Sequence, residues 1–98
     1  MNDRELLELA AKAAGMDIDP ERYDDAWGFA LRRTATWWNP LADDGDALRL
    51  AVKLGIDIFP WRNKSQDQQT VGIEAAVRIA IVRVAAEIGR QMQNGGAA

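Results

Sequence analysis

Residues 26–38 read Ala-Trp-Gly-Phe-Ala-Leu-Arg-Arg-Thr-Ala-Thr-Trp-Trp, and their conformation decides whether the chain forms a sheet. Aromatic residues and threonines are enriched towards Trp38, and this composition favours extended structure. Gly28 would lie in the middle of any helix drawn through the stretch and would destabilise it by up to about 1 kcal/mol. The residues therefore predict extended structure over 26–38, and a hairpin turn near Arg32 to Thr34 is one way of folding it.

A helix over residues 20–31 is the competing interpretation. Asp19 and Pro20 look like a helix start, since an acidic capping residue is followed by proline at the first helical position. Five residues that follow also recur at helical spacing, so both conformations stay open at this point, with the strand favoured. These five are Tyr23, Ala26, Trp27, Ala30 and Leu31.

Three other segments predict helices, because apolar residues recur at helical spacing between capping signals. The first covers residues 3–14 and is followed by Gly15, where a left-handed cap is expected. The second covers residues 44–54, begins among acidic residues that favour a helix N-terminus, and ends at Gly55. The third covers residues 73–92 and has the longest apolar stripe, although a capping pattern in the polar stretch before it would allow a start near 65.

Residues 56–61 predict a further extended segment, which lies at a sheet edge or strand end because Pro60 cannot donate a ladder hydrogen bond. Together these segments predict an α+β fold, a small single domain of about three helices packed around a short antiparallel sheet. A chain of 98 residues has room for one domain. We expect an ordered core over about 3–92 and a frayed tail over 93–98.

The composition excludes several classes of function. The chain carries a net charge of −3 and has neither cysteine nor histidine, which removes the usual zinc ligands and the usual nucleophile–base pairs. It has no glycine-rich phosphate loop and no nucleophile elbow, so we expect no catalytic residues, no cofactor and no enzyme activity. It also has no long apolar run and no basic-then-apolar leader, so we expect a cytoplasmic protein without a membrane partner.

Three carboxylates, Asp43, Asp44 and Asp46, lie within four residues. They could ligate a divalent cation, but the spacing is not that of a calcium-binding loop. The same residues stand at a predicted helix start, where acidic side chains cap the backbone and favour the helix dipole. We therefore predict a capping role and no metal site.

Three blocks of the sequence carry a family resemblance. They are Arg4-Glu-Leu-Leu-Glu-Leu-Ala-Ala-Lys-Ala-Ala-Gly15, Trp38-Asn-Pro-Leu-Ala-Asp-Asp-Gly-Asp-Ala-Leu-Arg-Leu-Ala-Val-Lys-Leu-Gly55 and Ala80-Ile-Val-Arg-Val-Ala-Ala-Glu-Ile-Gly-Arg90. In this order they resemble small proteins of tailed phages and prophages, described as a phage α-β-α sandwich domain. The resemblance covers most of the chain and implies one small sheet between helices. It implies no catalytic or ligand residues, and the sequence departs from the family pattern after Trp61, where longer strand material is expected.

Four tryptophans among 98 residues are the most conspicuous candidates for binding. If 26–38 is one continuous strand, Trp37 shares its face with Trp27 and Phe29, while Trp38 shares the opposite face with threonines and an arginine. We therefore expect Trp37 to be buried and Trp38 to reach the surface. If helices cover both faces of the sheet, both tryptophans belong to the core.

An exposed tryptophan beside arginine is typical of a binding hot spot. On the strand predicted over 56–61, the isoleucines form the core pair, which leaves Trp61 on the other face beside Arg62. The predicted partner-binding residues are Trp38, Trp61 and Arg62, with Arg33 as support.

We expect a small non-enzymatic phage or prophage accessory protein that binds a host or phage protein. The alternative is an anti-defence, anti-CRISPR-like inhibitor of a host nuclease complex that imitates nucleic-acid charge. Residues 1–25 hold eight acidic against three basic residues, but the net charge is weak for such mimicry. A weak nucleic-acid-binding module ranks third, because basic residues are few. The broad apolar face of the last helix also predicts self-association.

Overall fold

The computed structural model describes residues 2–56 and 72–95. Within these ranges the chain forms three helices and one three-stranded antiparallel sheet, which confirms the predicted α+β class. No helix in these ranges has both the length and the apolar character needed to cross a bilayer. The elements are α1 (Asp3–Ala14), β1 (Ile18–Asp24), β2 (Gly28–Leu31), β3 (Trp37–Trp38), α2 (Asp44–Leu54) and α3 (Ile73–Gly95).

Capping chemistry sets the bounds of the first two helices, which match the predicted ranges 3–14 and 44–54. The Asn2 side chain accepts a hydrogen bond from the backbone N–H of Glu5 at 2.8 Å. The Asp43 side chain accepts from the N–H of Asp46 at the same distance, as expected of a residue that caps a helix N-terminus. Both helices end at a glycine in the left-handed conformation.

The third helix begins at Ile73, at the later of the two predicted starts, and runs to Gly95, beyond the predicted end at 92. Gly72 before it has φ 86°, which a helix cannot continue through. Of the strand predicted over 56–61, residues 57–61 lie outside the described residues. The tail residues 96–98 lie outside them as well.

Residues Gly28–Leu31 and Trp37–Trp38 are extended and form the hairpin β2–β3, with a turn over 32–34 as predicted. Ala26 and Trp27, which were predicted to be extended, lie in the turn between β1 and β2. The competing helix over 20–31 is wrong. Residues Ile18–Asp24 instead form β1, which pairs with β2, so the strand order is β1-β2-β3. Pro20 is tolerated there because β1 is an edge strand and the pairing is irregular between Asp19 and Tyr23.

Gly28 makes the tight connection between β1 and β2 possible. It has φ 82°, a backbone conformation that favours glycine. A β-carbon at this position would meet the carbonyl oxygen of Trp38 and would lie 2.7 Å from the β-carbon of Asn39. The absence of a side chain therefore lets β2 and the end of β3 come together.

The core lies between one face of the sheet and the three helices. Helices α1 and α3 approach closely because their facing residues are small, among them Ala10, Ala11 and Ala85, which are all buried. Phe29 and Trp38 supply the large side chains from the sheet, with exposures of 0% and 4%. These two rings therefore join the sheet to the helices.

The predicted burial of the paired tryptophans is wrong in both positions. Trp38 is buried, whereas Trp37 is 40% exposed. The hairpin register pairs Phe29 with Trp38 and Ala30 with Trp37, and residues directly opposite each other in a sheet share a face. Alternation counted through the turn therefore assigned each tryptophan to the wrong side.

In the described ranges, only the Phe29 face of the sheet contributes to the core cluster. Ile18, Tyr23 and Leu31 lie on the same face and pack against that cluster. The opposite face carries Trp37.

Candidate functional site

A groove of about 580 Å³ lies between the β2–β3 hairpin and α2. We call it the hairpin–helix groove. The C-terminal end of α1 closes one side of it, so three separate parts of the chain meet there. Its lining residues are Ala14, Met16, Leu31, Thr34, Thr36, Trp37, Trp38, Asp46, Arg49, Leu50 and Lys53.

The groove combines an apolar floor with an aromatic wall. Trp38 and Leu50 are buried, and Met16 and Leu31 are half-buried, so the floor is made of side chains fixed by the core. Trp37 lines the groove with 40% of its surface exposed. The Trp37 indole lies on the face of the sheet opposite Trp38, so it offers a partly exposed aromatic surface beside the apolar floor at low cost in side-chain entropy.

Cations from α2 border the groove on its other side. Arg49 and Lys53 are four residues apart and therefore lie on the same face of the helix. The Arg49 guanidinium is 2.7 Å from the Asp46 carboxylate, and its side chain is still 73% exposed. Asp46 also accepts a hydrogen bond from the backbone N–H of Asn39 at 2.9 Å. Arg49 and Lys53 carry two positive charges, and the single carboxylate of Asp46 already accepts two hydrogen bonds. This border therefore favours binding of an anionic group.

One residue of β3 directs its backbone groups away from β2. The N–H of Leu31 donates to the carbonyl of Thr36 at 2.8 Å, and hydrogen-bonding sides alternate along an antiparallel strand. Thr36 and Trp38 therefore direct their backbone groups towards β2, and Trp37 directs its N–H and carbonyl away from it. In the described ranges β3 is the last strand of the order, so the backbone of Trp37 lies at the edge of the described sheet.

The predicted binding residues fall in three different places. Trp38 lines the groove but is buried in its floor, so the expectation that it reaches the surface is wrong. Trp61 and Arg62 lie outside the described residues. Arg33 is on the hairpin turn, where it borders a smaller hollow that shares Met16, Leu31 and Thr34 with the groove.

Arg33 is highly exposed, at 89%, and its guanidinium is 3.9 Å from the Asp17 carboxylate. Arg32 approaches the same carboxylate at 3.5 Å. The sequence analysis missed Trp37, Arg49 and Lys53 as site residues. The spacing of Arg49 and Lys53 on one helix face was the one available signal for the two cations, but nothing in the sequence places that face beside the hairpin.

The three carboxylates near the start of α2 all have structural partners. Asp43 caps the helix, as predicted. Asp44 forms an ion pair with Arg78 of α3, and Asp46 bridges Asn39 and Arg49. These contacts tie α2 to α3 and to the end of β3, and they account for the acidic cluster as a structural feature.

A second, more open cleft of about 590 Å³ lies at the start of α1. It is lined by Asn2, Asp3, Arg4, Tyr23 and Asp25. The Arg4 guanidinium lies 5.5 Å from the centre of the Tyr23 ring. Burial raises the pKa of the Tyr23 phenol, and the carboxylates of Asp25 and Asp3 raise it further, while Arg4 opposes them.

We expect the Tyr23 phenol to ionise above pH 10 in the folded protein. The chain has one tyrosine, so phenolate absorbance at about 295 nm reports this group alone. Because the pKa of Tyr23 is higher in the folded than in the unfolded chain, its contribution to the free energy of unfolding is fully present below pH 10. That contribution is lost as the pH rises through the folded-state pKa. Asp25→Asn should lower the titration midpoint. A midpoint in the folded protein no higher than that in concentrated urea would contradict the prediction.

The chain was compared with protein-family models, with curated proteins and with solved structures. None of the three comparisons gives a match.

Proposed function

We propose that this protein is a non-enzymatic binding protein that recognises another protein through the hairpin–helix groove. The observation that carries the proposal is the position of Trp37, which is 40% exposed and lines a groove with an apolar floor and a cationic border. Tryptophan and arginine around a partly enclosed apolar depression form the composition of a binding hot spot.

The ionisable groups in the groove support binding better than catalysis. Asp46 already holds the N–H of Asn39 and the guanidinium of Arg49. A general base must have room to accept a proton from a substrate, and this carboxylate is occupied on both sides. Arg49 and Lys53 can bind an anionic group, which is a recognition role.

The biological setting is the second part of the proposal. We propose a phage or prophage accessory protein whose partner is a host or phage protein. This part is supported by the three sequence blocks that resemble the phage α-β-α sandwich domain.

Inhibition of a host nuclease complex by charge mimicry is the weaker proposal, because several of the N-terminal carboxylates have local partners. Asp17 lies near both Arg32 and Arg33, and Asp24 accepts from the backbone N–H groups of Ala26 and Trp27. Mimicry of a nucleic acid needs a dense acidic surface that is not neutralised by neighbours. The same pairing weakens the nucleic-acid-binding proposal, since Arg32 and Arg33 share one carboxylate.

The test compares two exposed tryptophans. A partner is captured from bacterial hosts with and without a resident prophage, purified, and titrated by calorimetry against the wild-type chain. Trp37→Ala should weaken binding by about 30-fold or more, as expected for a hot-spot residue. Trp27→Ala is the matched control, because Trp27 is 62% exposed and does not line the groove. Its affinity should stay close to wild type.

Equal affinities of Trp37→Ala and the wild-type chain would contradict the proposal. The proposal is also contradicted if the capture retains no partner and, in addition, light scattering shows a monomer at all protein concentrations. A concentration-dependent dimer that Trp37→Ala disrupts would identify the partner protein as a second copy. That result would fit the self-association predicted from the sequence, although through a different surface.

A further inference from the structure

The turn between β1 and β2, residues 24–27, is chemically complementary to the hairpin–helix groove. It reads Asp-Asp-Ala-Trp, and all four residues are exposed. We infer that the groove binds this β1–β2 turn of a second copy of the chain, so that copies associate head to tail. This inference rests on the proposed function, because it uses the same groove and the same Trp37.

The β1–β2 turn holds its tryptophan in a fixed position. The Asp24 carboxylate accepts hydrogen bonds from the backbone N–H of Ala26 at 2.7 Å and of Trp27 at 3.1 Å. The side-chain amide of Asn39, a residue only 9% exposed, donates to the carbonyl of Ala26 at 3.2 Å. Trp27 itself is 62% exposed. A large indole on a turn that is already ordered loses little entropy on binding, so it is suited to anchor a contact.

The groove offers both surfaces that an indole needs. Its floor contains the buried side chains of Trp38 and Leu50, which can cover the apolar rings. Thr34 and Thr36 also line it, with their hydroxyl oxygens 2.7 Å apart. One of these hydroxyls donates to the other, and both oxygens keep lone pairs that can accept the N–H of the Trp27 ring. A buried indole N–H requires such an acceptor.

The charges of the two surfaces are opposite. Asp24 and Asp25 precede the indole on the turn, and both are exposed. Arg49 and Lys53 border the groove and are exposed as well. Complementary charge around an apolar contact fixes the orientation of the two copies and disfavours other partners.

The contact joins two different surfaces of the chain, because Trp27 does not line the groove. Each copy therefore offers its turn to one neighbour and its groove to another, which is a heterologous contact. A partner protein that occupies the groove excludes the turn of a second copy. Self-association and partner binding should therefore compete.

Sedimentation equilibrium of the full chain tests the association. One indole with its flanking charges makes a small contact, so we expect a Kd on the order of 0.1 mM. Trp27→Ala and Trp37→Ala should each weaken self-association by about tenfold or more. An equimolar mixture of these two variants should form dimers with nearly the wild-type Kd, because the Trp27→Ala chain keeps its groove and the Trp37→Ala chain keeps its turn.

Charge reversal tests the same contact without removing a tryptophan. Asp25→Lys gives a cationic turn, and Lys53→Glu gives an anionic groove border. Each variant alone should associate more weakly than the wild-type chain, and the two variants mixed should associate more tightly than either alone. Raised salt should weaken the wild-type association. Both positions are exposed, and circular dichroism checks that the fold is retained.

Three results would overturn the inference. They are a monomer up to about 1 mM, self-association that Trp27→Ala leaves unchanged, and a mixture of the tryptophan variants that associates no better than its components. If a captured partner depends on Trp37 while the chain alone stays monomeric, the proposed function stands and only the head-to-tail contact fails. If Trp37→Ala changes neither partner binding nor self-association, both fail. Trp27→Ala remains the control of the partner titration, which is run well below the Kd of self-association.

Discussion

Trp38→Ala should lower the free energy of unfolding by about 3–5 kcal/mol. The Trp38 side chain is 4% exposed and belongs to the same core cluster as Phe29, Ala47 and Leu50. Removing the indole leaves a cavity between the hairpin and α2, and the neighbours are fixed by the sheet and the helix, so they cannot collapse into it fully. Small domains are stable by only about 5–15 kcal/mol, so this loss is a large share of the total.

Urea unfolding followed by circular dichroism measures the change, and Trp37→Ala is the matched control. The two residues are adjacent and identical in type, but Trp37 is 40% exposed and makes its contacts at the groove. We expect Trp37→Ala to cost less than about half as much, since its indole keeps much of its hydration in the folded state. A loss of less than about 1 kcal/mol in Trp38→Ala would contradict its assignment to the core and would restore the surface role predicted from the sequence. Large and equal losses in both variants would contradict the exposed position of Trp37.

The helices could be predicted because their ends are determined by neighbouring residues. Asn2 caps α1 through a hydrogen bond to Glu5, three residues away, and Gly15 ends the same helix. Asp43 and Gly55 do the same for α2. Capping residues act on backbone groups within one helical turn, so the local sequence is sufficient to predict where these helices begin and end.

The strand β1 could not be predicted in the same way, because its local signal indicates a different structure. Asp19 and Pro20 have the order of a helix start. In the structure the Asp19 side chain accepts from the N–H of Glu21 instead, and the segment pairs with β2. Pairing with a strand several residues later is tertiary information, and it overrides the local preference.

The candidate site was missed for a related reason. The alternation of side chains shows which residues share a face within one strand, but it cannot be counted through a turn. Across the turn after Leu31, Trp38 lies opposite Phe29 and therefore on the same face. The groove also depends on α2, whose Arg49 meets the hairpin only after packing. The sequence could indicate that tryptophan and arginine matter, but it could not indicate which of them meet.

Gly89→Ala should destabilise the protein by about 2–3 kcal/mol, although the same change in an exposed helix normally stabilises by about 1 kcal/mol. Gly89 lies in α3 where that helix crosses α1. A β-carbon there would collide with the carbonyl oxygen of Leu9 and would lie 2.8 Å from its carbonyl carbon. The obstacle is helix backbone, so relief requires α1 and α3 to move apart.

That movement would loosen the small-residue packing of Ala10 and Ala85, which are fully buried between the helices. Gly45→Ala is the control, because Gly45 is also helical but its β-carbon would meet only the Arg49 and Asp43 side chains, at 3.2 Å. The Arg49 side chain can shift, whereas the Asp43 oxygen also caps α2, so a weaker cap offsets part of the gain in helix propensity. We therefore expect Gly45→Ala to lose much less stability than Gly89→Ala. Chemical denaturation of both variants separates the cost of the collision between helices from the effect of helix propensity. A gain in stability for Gly89→Ala would show that α1 and α3 are farther apart at Gly89 than the structure places them. It would contradict the assignment of this close helix pair to the centre of the core.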